Sequence, residues 1–161
     1  MQTKFVLAAA LSALSTSVSA FIIPRDLPDG HFSFPLDGEF NTSDATALSR
    51  RQDFPDQTIG CTGGHYAHNN YDTAVQDLKI FCDSGAVVAQ KHVELFRRDD
   101  TVVYICNYRD WEVPCKSDEW ELKNAAMDVE CGAWNGAYSF VKDYESTHGR
   151  DANGASVCSN I

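Results

Sequence analysis

Beyond residue 20 the chain has no apolar run long enough to cross a bilayer, and before residue 61 it has no cysteine. It is also short of basic residues: 13 Lys and Arg stand against 23 Asp and Glu, a net charge of −10 with histidines neutral. Each shortage excludes something. A spanning helix needs about 20 consecutive apolar residues, so no membrane span is expected. A strongly acidic protein repels a phosphate backbone, which argues against a nucleic-acid partner and, for the same reason, against anionic membrane surfaces. The chain contains neither a Gly-x-Ser-x-Gly elbow nor a phosphate-binding glycine loop. Neither that type of serine nucleophile nor a nucleotide cofactor is therefore indicated.

What is present begins with an address. Met1–Lys4 carry one positive charge, Phe5–Leu14 are almost wholly apolar, and Val18-Ser19-Ala20 offers small residues at a cleavage position. This layout predicts a secretory signal peptide over residues 1–20, cut after Ala20, and hence a secreted, extracellular product. Residues 21–51 have no cysteine, no tryptophan and three of the five prolines, and they end in the pair Arg50-Arg51. A dibasic pair closing a polar segment is what secretory processing proteases cut. We therefore expect residues 21–51 to be a propeptide, with cleavage after Arg51 and a mature domain over 52–161. The one glycosylation sequon, Asn41-Thr42-Ser43, falls in the propeptide, so the mature domain should lack N-linked sugar.

All six cysteines lie in the mature domain, at Cys61, Cys82, Cys106, Cys115, Cys131 and Cys158. An even count behind a secretory signal reads as three disulfides in one small domain. The element pattern starts with a strand at Gln57–Thr62, broken by Gly63-Gly64. A capping box at Thr73–Gln76 then opens a helix carrying Val75, Leu78, Phe81 and Cys82, and Gly85 stops it. Val93 and Leu95 alternate with His92 and Glu94 in a half-buried strand, and Val102–Tyr108 is apolar on both faces, as a central strand is. Ser117 caps a second helix with Leu122, Ala125, Ala126 and Val129 as its buried stripe. Asn135-Gly136 signals a turn and Ala137–Tyr144 a last strand. The order is βαββαβ, which predicts an α+β fold: a two-layer sandwich of antiparallel sheet and two helices on the ferredoxin-like plan. In that plan the helices run parallel, bringing Cys82 and Cys131 to one end. The expected pairs are then Cys82–Cys131, Cys106–Cys115 and Cys61–Cys158.

The stretch Tyr104-Ile105-Cys106-Asn107-Tyr108, the pair Cys131-Gly132 and the late His148-Gly149-Arg150 sit in a precursor of signal peptide, dibasic propeptide and six-cysteine domain. In this the chain resembles the small secreted cysteine-rich effector proteins of filamentous fungi, some of which are similar to the killer toxins of smut fungi with their α/β sandwiches. The resemblance implies a virulence or toxin-like role against a host or competitor, and a protein or glycan target of that other organism. It implies no catalytic residues.

Read from the residues, several constellations carry possible chemistry. Cys61, His65 and His68 have ligand-like spacing, but zinc needs thiolates and the secretory route favours a disulfide, so no metal is expected. Glu145, His148 and Arg150 are the parts of a small ribonuclease (base, acid and phosphate clamp), which makes a secreted hydrolase the alternative from another class. With no other catalytic motif, an enzyme is the less favoured reading, and no cofactor is expected. The aromatic residues point to binding. By strand alternation Tyr104 and Tyr108 share a face that two helices on one side of the sheet would leave open. Trp111 sits between Asp110 and Glu112 in the loop from Cys106 to Cys115. An exposed aromatic surface rimmed by acids suits a protein partner, or stacks on sugar rings as in a carbohydrate-binding module. Trp120 and Trp134 are expected in the core. The protein should act as a monomer.

Overall fold

The computed structural model describes residues 21–36 and 57–158, so the expected cleavage points at Ala20, Arg50 and Arg51 lie outside the described residues. In chain order the elements are β1 (Phe21–Ile22), β2 (Gly30–Pro35), β3 (Gln57–His65), α1 (His68–Asp83), β4 (Val87–Val88), β5 (His92–Arg98) and β6 (Thr101–Asn107). They continue with β7 (Val113–Pro114), α2 (Ser117–Cys131), β8 (Asn135–Val141), a 3₁₀ turn at Lys142–Tyr144, β9 (Ser146–Ala152) and β10 (Ser156–Val157). Six strands form one antiparallel sheet in the order β2-β5-β6-β9-β8-β3, while β1 pairs with β10 and β4 with β7. The class is α+β with two helices, as expected.

The ferredoxin-like plan does not hold, and the cause is β9. Ser-Thr-His-Gly-Arg-Asp-Ala has little strand propensity, yet this segment pairs with β6 along one side and β8 along the other. Three antiparallel steps then separate β6 from β3, so the strands feeding the two helices run in opposite directions. The helices do too. Ser117 donates to Asp83 at 2.5 Å, Lys79 pairs with Glu121, and Tyr71 donates to Asn124 at 2.5 Å, so the partners advance along α2 as they recede along α1.

The disulfides follow this reversed parity. The bonds are Cys61–Cys131, Cys82–Cys115 and Cys106–Cys158, and none of the three expected pairs forms. Cys82 ends α1 beside the residue that leads into α2, not beside the end of α2. The chain is a small cysteine-rich protein with three disulfides.

One face of the sheet, with Phe96, Val103 and Ile105, packs under the helices against Ala74, Leu78 and Trp120. The stripe that α2 buries is Trp120, Lys123 and Met127; Leu122 and Val129 are exposed, which corrects the expected stripe. Apolar residues lie on both sides of this helix, and the bulkier side won because Trp120 and Met127 bury more surface than Leu122 and Ala125. The other face is not open. Val93, Leu95, Val102, Tyr104 and Cys106 are roofed by Ile23, Val157 and Cys158, with Phe21, Leu27, Phe32 and Phe34 around them. Segment 21–36 is thus built into the domain.

Across the sheet on this second face, Tyr104 pairs with Gly149, Gly149 with Tyr138 and Tyr138 with Gly60. A Cβ on Gly149 would fall 2.2 Å from the Tyr104 ring, and one on Gly60 would fall 2.2 Å from the Tyr138 ring. The rings lie over the glycines and cover backbone that has no side chain of its own. At the far edge, β3 carries a register shift between Cys61 and His65 at Gly63-Gly64, an irregularity that blunts an otherwise open strand edge. The turn into β8 is made by Gly132 and by Trp134 at φ 60°, both in left-handed backbone, and Asn135-Gly136 begin the strand instead of turning. Trp134 is exposed and stacks on His68 at 3.7 Å, so it is not the core residue expected.

Candidate functional site

The first half of α2, the β7 segment and the adjoining parts of β6 and β9 line a cavity of about 730 Å³ that opens to solvent. That is the size range of small-ligand sites. Ile105 and His148 form its floor, Val88, Val113 and Leu122 its apolar walls, and Arg109, Glu119 and Tyr144 part of its rim. The walls are in place because Val88 and Val113 face one another across the β4–β7 pair, which the Cys82–Cys115 disulfide holds against α1.

A line of polar groups runs from the rim inward. Lys123 Nζ lies 2.6 Å from a Glu119 carboxylate oxygen, one helical turn away, and 2.8 Å from His148 Nδ1. Burial pulls the Lys123 pKa down, and Glu119 pushes back up. Burial also holds His148 well below the usual histidine range, and the Lys123 charge adds to that shift. The consistent assignment is a Lys123 ammonium donating to a neutral imidazole at Nδ1, which leaves the ring proton on Nε2. A histidine in this state presents a hydrogen-bond donor. Its one free-base nitrogen is already engaged.

Glu145, His148 and Arg150 do not form a common site. Glu145 is exposed in left-handed backbone at the end of the 3₁₀ turn. Arg150 is fully buried and bonded within the protein: Nε donates to the Asn135 carbonyl at 3.0 Å, one Nη to Asn124 and Asp128 at 2.5 Å each, the other to the Gly132 carbonyl at 3.0 Å. This is a clamp tying α2 and the following turn to β9: four of the five N–H groups are committed within the protein and the side chain is shut off from solvent, so it is not placed to hold a phosphate. His148 answers to Lys123, as described. The requirement for a base, an acid and an anion clamp converging on one point is not met.

Tyr104 and Tyr108 are also removed from the binding surface, being 2% and 3% exposed. Alternation placed them on one face correctly, but the roof over that face buries them. The Tyr108 hydroxyl is within hydrogen-bond distance of Thr147 Oγ1 at 3.0 Å, and burial pushes its pKa up to about 12. Cys61, a candidate ligand, is disulfide-bonded, and among the described residues no cluster of His, Cys, Asp or Glu is arranged to hold a metal ion.

Asp110, Trp111 and Glu112 stay together on an exposed loop, with Trp111 49% exposed. The loop is not closed by a disulfide of its own, since Cys106 and Cys115 bond elsewhere. Asn107 orders it instead. Its side-chain amide donates to the carbonyls of Ala89 and Trp111 at 3.0 and 2.8 Å, and its oxygen accepts from the Arg109 N–H at 3.0 Å. The Arg109 guanidinium then lies 5.3 Å from the Trp111 ring and 5.8 Å from the Tyr144 ring. It also donates to the Asp143 carbonyl at 2.7 Å. Trp111 is therefore one guanidinium away from the cavity rim.

Sequence reasoning missed Lys123, Asn107, Arg109 and Tyr144. Only Lys123 left a trace, as the second member of a Glu119–Lys123 pair at i,i+4 spacing. Comparison with protein-family models, curated proteins and solved structures finds no match for this chain.

Proposed function

We propose that this is a secreted protein that acts by binding an extracellular or cell-surface target of another organism, in the manner of a fungal effector or killer toxin. Its signal peptide is removed after Ala20 and its chain is cut after Arg51. The observation that carries the binding reading is Trp111: a large aromatic, half exposed, on a loop already ordered by Asn107 and Arg109 beside a cavity. Preordering lowers the entropy lost on association, so such a residue serves as an anchor. The carboxylates of Asp110 and Glu112 on either side suit basic side chains of a protein partner, or the hydroxyls of a sugar ring stacked on the indole.

The test compares the processed wild-type protein with Trp111→Ala. Both are immobilised and exposed to extracellular and cell-wall fractions of a host or competitor, and to a glycan array. Loss of the captured target with Trp111→Ala supports the reading, and the array tells a sugar from a protein. Incubation with RNA covers the hydrolytic alternative: cleavage abolished by His148→Ala would displace the binding reading.

A further inference from the structure

We infer that cleavage after Arg51 nicks the protein and does not trim it, so that residues 21–51 persist in the mature form as a second chain held without a covalent link. The inference rests on the processing reading above and goes beyond it, since a propeptide is ordinarily a part that leaves.

Three observations place the segment inside the finished domain. The first is pairing. β2 occupies the sheet edge beside β5 over six residue pairs, from Gly30 opposite Arg97 to Pro35 opposite His92, and Leu36 N–H continues the ladder to the Lys91 carbonyl at 2.6 Å. At its other end the segment pairs with β10, and Ile23 N–H donates to the Ala155 carbonyl at 3.1 Å. The second is apolar burial. Ile23 is 1% exposed, and with Phe21, Leu27, Phe32 and Phe34 it covers Val93, Leu95, Val102 and Tyr104. The third is a buried carboxylate. Glu94 is 4% exposed, and its two oxygens meet His31 at 2.6 Å and Ser33 at 2.8 Å, both from β2. Departure of the segment would bare a seven-residue strand edge, an apolar sheet face and a carboxylate without these two partners. Each of these is costly, and the first is the template on which strands from other chains add.

Nothing covalent holds the segment once the chain is cut, because it contains no cysteine. The other dibasic pair, Arg97-Arg98, is guarded by the same arrangement. It lies in β5, paired with β6 along one side, with Arg97 also opposite Gly30 of β2 on the other. Arg97 is held by Asp29 at 3.1 Å and Arg98 by Asp77 at 2.6 Å. Arg97-Arg98 is thereby shielded from processing, since an extended site must be free to enter a protease cleft.

The full-length precursor is expressed in a secreting host with dibasic processing, and the secreted protein is weighed under native and under denaturing, non-reducing conditions. After enzymatic removal of N-linked sugar from the Asn41 sequon, the expected result is one native species with the summed mass of 21–51 and 52–161, resolving on denaturation into the two chains in equal amounts. A native mass of 52–161 alone would overturn retention and leave cleavage standing. A single uncut chain from Phe21 would overturn the cleavage reading and with it the two-chain form. The double variant Ile23→Asp, Phe34→Asp should release the short chain from the native species. Retention unaffected by this variant would also overturn the inference. Because that variant could instead fail to be secreted, residues 52–161 expressed alone give a second measurement. They should be poorly folded until the peptide 21–51 is added, and rescue at one equivalent is the expected outcome. A well-folded 52–161 indifferent to the peptide counts against the inference.

Discussion

His148 and Arg150 stand two residues apart on one strand, and burial puts them to different uses. The unfolded chain takes up a proton on His148 near the usual value of about 6.5, while the folded protein refuses it, because burial and the Lys123 charge hold the pKa well below that value. The unfolded state then binds more protons than the folded one, so stability present above that pH is lost as pH falls through it. The expected slope is about 1.4 kcal/mol per pH unit. Denaturant titrations between pH 7 and pH 5 measure it, and His148→Asn, which keeps an acceptor for Lys123, should remove about one proton from the linkage. Asp151 works in the opposite sense: burial raises its carboxyl pKa, so it favours the fold on the acid side. Arg150 is a stability residue. Arg150→Ala empties a fully buried site and leaves the acceptors of Asn135, Asn124 and Gly132 without their donor, so it should lower the melting temperature severely. Arg150→Lys should rescue only part of this, since an ammonium cannot reproduce a planar fork that reaches Asn135, Asn124, Asp128 and Gly132 together.

At the scale of elements, the loop and helix tryptophans should separate cleanly. Trp111→Ala should leave thermal unfolding nearly unchanged and abolish target binding, because the side chain is half exposed and touches chiefly Arg109. Trp120→Ala should cost about 3–5 kcal/mol, as expected for a fully buried aromatic. Measuring melting and binding on both variants decides the matter; a Trp111→Ala protein that unfolds would show the loop to be structural. The central strand β9 makes a sharper demand. Gly149→Ala places a methyl group on the Tyr104 ring, and overpacking of this kind costs about 1–3 kcal/mol. Pairing the change with Tyr104→Phe should not relieve it, since the ring carbon lies as close as the hydroxyl, whereas Tyr104→Val should relieve most of it.

For the whole molecule, peptide mapping of the non-reduced protein should recover Cys61–Cys131, Cys82–Cys115 and Cys106–Cys158. A link between Cys82 and Cys131 would require parallel helices and would overturn the strand order. The bond from Cys106 to Cys158 matters most to the second face, because it ties the C-terminal part of the roof to the central strand. Losing a disulfide typically costs about 2–4 kcal/mol, and here the loss should also loosen the contact between β1 and β10. The sequence alone was enough for the α+β class, both helices, the central strand Thr101–Asn107, the complete pairing of six cysteines and the exposed Trp111. These rest on local signals: hydrophobic period, glycine stops, an even cysteine count and an aromatic set among acids. The sheet order, helix direction, disulfide partners and second layer were decided only in three dimensions. β9 is a strand because both its neighbours offer backbone partners and its polar side chains find Lys123, Asn124 and Asp128 on α2. Segment 21–36 looks dispensable because it has no cysteine, yet it becomes structure because an edge strand and an apolar face elsewhere in the chain await cover. Lys123 reads as a solvated helix residue until tertiary packing turns the Trp120 side of α2 inward and gives the ammonium Glu119 and His148 as partners. No local pattern encodes these outcomes, because each depends on partners far away in the chain.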